Sequence, residues 1–153
     1  MSAASDQSRQ QELAAIEQRI NELVQQSRVL EAYMNDVMTR QVTVSKLLEE
    51  AHLASNTIQT ITSESDVESL MPIGIGVYVK TVVPPVKKLL INLDAGVALE
   101  KSREDALNYV EARIKEYEVA GRQLEAQRQE IAMRINQLQS QINQMIQAAQ
   151  QHG

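Results

Sequence analysis

At 153 residues and 17.1 kDa the chain has room for one ordinary domain, yet it has no Phe, Trp or Cys and only four Tyr, while 43% of it is hydrophobic. Aliphatic content without aromatics suits thin seams between helices better than a thick globular core, and the lack of Cys excludes disulfides, thiolate zinc sites and Cys nucleophiles. A formal charge of -5 and a pI of about 5.1 disfavour a nucleic-acid or anionic-membrane binder.

Residues 1–20 hold no apolar core of signal-peptide length, and the longest apolar-rich run, Ile73 to Val79, is far short of the ~18–20 residues a membrane span requires. A soluble, cytoplasmic protein is the expectation. Pro72, Pro84, Pro85, Gly74, Gly76 and Gly96 all fall between positions 72 and 96, whereas residues 1–71 contain neither type. This punctuation divides the chain into a long first segment, a broken middle and a long last segment.

The first segment carries a stripe in alternating steps of three and four: Leu13, Ile16, Ile20, Leu23, Ser27, Leu30, Met34, Val37, Gln41, Val44, Leu48 and Ala51. Glu, Gln, Arg and Asn surround it. So narrow an apolar seam predicts one long coiled-coil helix rather than a broad core-facing one. It is placed at residues 8–62, beginning near Ser8 and fading between Thr60 and Ser63, where Thr and Ser accumulate.

The middle, residues 66–101, changes to short runs separated by turn residues. Val67–Met71, Gly76–Thr81, Lys87–Leu93 and Val97–Lys101 predict four strands in two hairpins. The turns are placed at Pro72–Ile75 and Asp94–Gly96, and the link between hairpins at Val82–Val86. Ser102-Arg103-Glu104-Asp105 has the capping-box form, with two acids in the positively polarised first turn, so a second helix is predicted over 103–150. Its seam runs Leu107, Val110, Ile114, Tyr117, Gly121, Leu124, Arg128, Ile131, Ile135, Leu138, Ile142, Met145 and Ala149. Each helix would be about 70 Å long at 1.5 Å per residue.

Matched lengths favour an antiparallel two-helix coiled coil, which brings Leu13 near position 150 and both termini to one tip. Ser27, Gln41, Gly121 and Arg128 interrupt the seam; they either fix one register against sliding or are simply tolerated in a long coil. The fold class is α+β, mainly α. Two-stranded ribbons are marginal in water, and Val77, Val79, Leu89, Leu90, Ile91, Leu93, Val97 and Leu99 form more apolar surface than the insert can hide. Another chain should cover them, by strand pairing that closes a barrel between subunits.

No motif for catalysis or for a cofactor emerges. Gly74-Ile75-Gly76 resembles the start of a dinucleotide fingerprint, but position 79 is Val and the glycines join two strand-like runs, so a turn is the reading. His52 and His152 lack zinc-ligand spacing. Asp94 before Ala95-Gly96 is hairpin-turn chemistry, and Lys87-Lys88 is solvated edge protection. The expectation is no enzyme, no cofactor and no metal. At the tip, Leu13, Ile16, Ile20, Ile142, Met145 and Ile146 either zip the coil shut or offer an adaptable apolar surface near a fraying end.

The segment Leu70-Met71-Pro72-Ile73-Gly74-Ile75-Gly76-Val77-Tyr78-Val79, followed by Leu93-Asp94-Ala95-Gly96-Val97 and by Glu100-Lys101-Ser102 leading into a second long helix, resembles the prefoldin family. Two hairpins rather than one make it similar to the alpha-class subunit, in the archaeal style. The resemblance covers nearly the whole chain in architecture, with its specific motifs within 70–106. It implies a co-chaperone without ATPase activity: two alpha-class and four beta-class subunits pair hairpins into a double β-barrel platform bearing six coiled coils. The coil tips hold non-native polypeptide and deliver it to a group II chaperonin. Transferred to this chain, the hairpin apolar set forms the platform, and Leu13, Ile16, Ile20, Ile142, Met145 and Ile146 contact clients. Two other classes share these features: a structural coiled-coil protein, including a self-assembling prefoldin-like filament subunit, and a regulatory arm for one partner.

Overall fold

The computed structural model describes residues 2–61 and 64–151. In chain order they form a helix α1 (Ser2–Thr60), strands β1 (Val67–Gly74), β2 (Val77–Val83) and β3 (Lys88–Asn92), a one-turn 3-10 segment at Asp94–Gly96, strand β4 (Ala98–Ser102) and a helix α2 (Arg103–Gln151). This is the α+β, mainly helical architecture expected, with two antiparallel two-stranded sheets, β1–β2 and β3–β4. The chain falls into two compact units: residues 1–42 with 122–153, and residues 43–121.

In the first unit the α1 and α2 segments bury the three-and-four stripe. Leu23 and Val37 are each only 1% exposed, and Ile131 and Leu138 are buried beside them in the seam. Gln41 Nε2 donates to Glu125 Oε2 across the pair at 2.8 Å, which fixes the antiparallel register. Heptad steps taken outward from that point set Val37 level with Arg128 and Ser27 level with Leu138. Every seam position predicted in either helix is buried or half-buried.

The helix α1 starts at Ser2 rather than near Ser8. Residues 2–12 carry no seam, but Ala3, Ala4, Gln7, Arg9, Gln10 and Gln11 are strong helix formers with no Gly or Pro among them, and propensity extends the helix beyond its packing. Its other end is observed at Thr60. The Thr62 to Ser63 part of the expected fade, and His152, lie outside the described residues.

In the second unit the seam continues past Ala51 to Ser55 and Ile58, both buried, two steps beyond the predicted stripe. Gly121 faces Val44 here: a Cβ added to the glycine would lie 3.9 Å from Val44 Cγ1. α2 begins as its cap chemistry requires, the Asp105 amide donating to Ser102 Oγ at 3.1 Å. Arg103 reaches back to the opposite helix end. Its Nε donates to the carbonyls of Ile58 (2.9 Å) and Ile61 (2.7 Å), and Nη2 donates to that of Gln59 (3.1 Å). α1 has no basic residue in its own last turn, so Arg103 supplies the cation that its unpaired, negatively polarised carbonyls favour.

The first hairpin differs from its predicted turn. β1 runs on through Pro72 to Gly74, Pro72 pairs with Tyr78, and the register shifts between Pro72 and Gly74, leaving Ile73 as a bulge. Both strands of a two-stranded ribbon are edges, and an edge beside a bulge tolerates a proline that cannot donate. The loop is therefore only Ile75-Gly76, both at positive φ (41° and 79°), the signature of a type I′ turn. The second hairpin turns at Asp94–Gly96 as expected, with Ala95 at φ 66° and the Leu93 amide bonded to the Val97 carbonyl at 2.7 Å.

Candidate functional site

Two surfaces carry the chemistry expected of a binding protein: the hairpin faces in the second unit and the coil end in the first. In an antiparallel ribbon, residues paired across strands share a face. In the first hairpin the pairs Met71 with Val79 and Ser69 with Thr81 define one face, and Leu70 with Lys80 and Pro72 with Tyr78 the other. Neither is covered: Leu70, Met71, Val77, Tyr78, Val79 and Val82 are all 41–60% exposed. In the second hairpin Leu89 pairs with Lys101 and Ile91 with Leu99, while Leu90 pairs with Glu100 on the opposite face.

The eight residues named from the sequence are divided between the two sheets. Val77 and Val79 lie on one sheet and the other six in or beside the second sheet. Leu89 and Ile91 are half-buried and line a groove with Leu53, Ala54, Ile58, Ala106 and Val110, so these two already have partners in their own chain. Leu90 (71%), Val97 (51%) and Leu99 (42%) stay exposed. The set missed Leu70, Met71, Ile73, Ile75, Tyr78 and Val82, all exposed. Their signal was present in the first hairpin, as an apolar residue at nearly every position of both alternating faces.

The six residues named for the tip all fall in the first unit. Leu13, Ile16, Ile20, Ile142 and Met145 are half-buried in the seam, and Ile146 is exposed at 40%. Further apolar surface lies outside the seam steps at Val29, Tyr33, Met38, Val42 and Met133, each about half exposed or more. These residues were readable as apolar side chains at positions a seam does not use.

The first unit also holds a small polar cluster. Arg128 holds Glu125 through two bonds, Nε to Oε2 at 2.9 Å and Nη2 to Oε1 at 2.6 Å, while Gln41 donates to the same carboxylate. Arg128 first and Gln41 second lower the Glu125 pKa to about 2. The three residues form a structural lock with a satisfied carboxylate, not a poised acid or base. Among the described residues, no group of three or more His, Cys, Asp or Glu side chains is placed to hold a metal ion, and no helix is long and apolar enough to cross a membrane.

Two long helices joined by two apolar hairpins have a clear counterpart in known proteins. The family model described as Prefoldin subunit matches residues 30–148. The prefoldin subunit alpha of Nitrosopumilus maritimus is 38% identical over 137 residues, covering 90% of this chain and 94% of that one. The chain belongs to the prefoldin family. A second prefoldin subunit alpha, from Methanoculleus marisnigri, is 31% identical over 85% of this chain and 87% of its own. Among solved structures, a chain of a filamentous prefoldin from Methanocaldococcus jannaschii superposes with a TM-score of 0.52 at 21% identity, covering 79% of this chain and 98% of that one. The likeness to the alpha-class prefoldins seen in residues 70–106 thus extends along both helices.

Proposed function

We propose that this chain is the alpha-class subunit of an ATP-independent prefoldin co-chaperone, in which two such chains and four beta-class subunits close their hairpins into a β-barrel platform. The observation that carries this reading is the apolar surface left open on both faces of the first hairpin, in a member of a family of non-enzymatic chaperone subunits. Water-exposed apolar ribbons of two strands need covering, and pairing with other subunits satisfies their edges as well as their faces. Val77, Val79, Leu89, Leu90, Ile91, Leu93, Val97 and Leu99 belong to this platform, with Leu89 and Ile91 tying it to the helices of their own chain.

Clients are non-native polypeptides, held at the coil ends and passed to a group II chaperonin. Ile146 offers surface directly, while Leu13, Ile16, Ile20, Ile142 and Met145 become available as the coil end frays. One coil end presents too little area for tight binding. Several on one platform raise the effective concentration and give avidity with reversible single contacts. No step requires ATP, a metal or a cofactor.

Trimming the chain to residues 22–140 removes both sides of the coil end together and leaves no single helix unpaired. Complexes with a beta-class subunit should keep their subunit count, while suppression of client aggregation should fall several-fold. Undiminished protection by the trimmed complex would overturn the assignment of client binding to the coil end. The second reading, a self-assembling filament subunit, has its support in the filamentous solved neighbour. Light scattering of the chain alone separates the two, since a filament subunit grows with concentration without a beta-class partner.

A further inference from the structure

We propose that the outer part of α2, from Ile135 to Gln151, holds client segments by their peptide backbone, its exposed glutamine amides pairing with the open N–H and C=O groups of an extended chain. The inference rests on the reading of the coil end as the client site and names what that site recognises. Charge stops abruptly along this helix: thirteen charged side chains lie between Arg103 and Arg134, and none between Ile135 and Gln151. Glutamine takes their place. Of the 18 Gln in the chain, only Gln59 lies outside the first unit, so the bias belongs to the coil end and not to helices in general. Helix formation does not require it, since Glu, Lys and Arg form helices as well as Gln does and add i, i+4 ion pairs. Solubility favours the reverse, because charge guards exposed apolar groups such as Ile146 better than a neutral amide does.

The spacing of the amides fits an unfolded chain. Gln137, Gln144 and Gln151 stand seven residues apart in one row on α2, and Gln11, Gln18 and Gln25 form a row of the same spacing on α1, all six exposed. Gln41 and Gln129 commit their amides to Glu125, whereas these six are bonded to no other group of the chain. Seven residues of helix rise about 10.5 Å. One turn of polyproline II, a major conformer of unfolded chains with no internal hydrogen bonds, rises about 9.3 Å. Each row therefore offers donors and an acceptor roughly once per turn of an extended client, and the freedom of the long side chains absorbs the difference. Ile146, in the same stretch of α2, supplies apolar contact. A charged residue in these positions would lose its hydration against an apolar segment, a cost that an amide bonded to the client backbone avoids. Main chain is the same in every sequence, yet in a folded protein it is already paired. Such a site accepts varied clients and rejects native ones.

The test uses the full chain in complex with a beta-class subunit, and Met as a substitute that matches Gln in length and helix propensity but donates no hydrogen bond. Gln137→Met, Gln144→Met and Gln151→Met combined should leave assembly and helix content unchanged, while holding of an unfolded peptide of uncharged residues weakens roughly tenfold. Purely apolar holding predicts the opposite, since the variant has the more apolar end. A second probe needs no variant. The same peptide with alternate backbone nitrogens methylated keeps its side chains and loses donors, and it should bind the parent complex several-fold more weakly than the unmodified peptide. Unchanged or tighter holding by the Met variant, or equal binding of the two peptides, would overturn the proposal. The complex trimmed to residues 22–140 separates the two readings: if trimming abolishes protection of clients while the Met variant retains it, the glutamine role falls and the coil end remains the client site.

Discussion

Single residues decide the register of the coil, and they do so through groups that look like defects in its seam. Gln41 and Arg128 break the apolar stripe, yet both converge on Glu125, and a sliding register would carry Gln41 away from the Arg128–Glu125 pair. The ion pair lies within α2, three residues apart, and both members keep about two-fifths of their side-chain surface open (39% and 42%), so it adds little net stability and the register rests on the Gln41 bond from α1. The carboxylate gives it a pH signature. A carboxyl near 2 when folded and near 4.5 when unfolded binds protons more readily in the unfolded chain, so its contribution is complete above about pH 4.5 and is lost as pH falls towards 2. Thermal melts should therefore show the parent losing more stability between pH 5 and 2.5 than Glu125→Gln does; parallel profiles would contradict the lock. Gly121 is a different kind of interruption. The space opposite Val44 accepts a methyl group in ordinary contact, so Gly121→Ala should gain helix propensity without a clash and raise stability by about 0.5–1 kcal/mol in urea unfolding. A loss would show that the seam needs the glycine.

Among elements, the helices were the most legible part of the sequence and the hairpins only half so. Steps of three and four located the seam from Leu13 to Ala51 and from Leu107 to Ala149 because a coiled coil reads the same pattern locally, turn after turn. Ser55 and Ile58 continue the same three-and-four steps beyond Ala51, where the predicted stripe stops. The strands were found, but the faces were not. Which residues share a face depends on cross-strand register, and the bulge at Ile73 shifts that register by an amount the sequence does not announce. In the second hairpin no bulge intervenes: the two-residue period of a strand by itself sets Leu90 on the face opposite Leu89 and Ile91, and grouping all three passed over that alternation. Arg103 was hidden for a third reason: its three acceptors lie 42 to 45 residues earlier in the chain, where no local pattern reaches. Charge-assisted bonds to otherwise unpaired carbonyls are worth roughly 1.5–3 kcal/mol. Arg103→Met should cost that much in chemical denaturation, with Arg103→Lys between, because an ammonium keeps the charge but not the planar fork. A cost below about 0.5 kcal/mol would mean that the helix ends are held by seam packing alone.

For the whole molecule, the composition first suggested a shortage of core, and the structure shows how that shortage is distributed. The seams are closed within the chain, with Leu23 and Val37 almost wholly covered, whereas the first hairpin leaves apolar side chains open on both faces. Membership of the prefoldin family and the open ribbons together account for the aliphatic, aromatic-poor make-up. They also lead to the central claim, that the missing core is supplied by other subunits. Native mass measurement after co-expression with a beta-class prefoldin subunit tests it most directly. The account predicts one closed species of two copies of this chain with four of the partner, lost when Val79 or Leu90 is replaced by Asp. A chain that remains at its own 17.1 kDa beside the partner, or a complex that survives both substitutions, would contradict it.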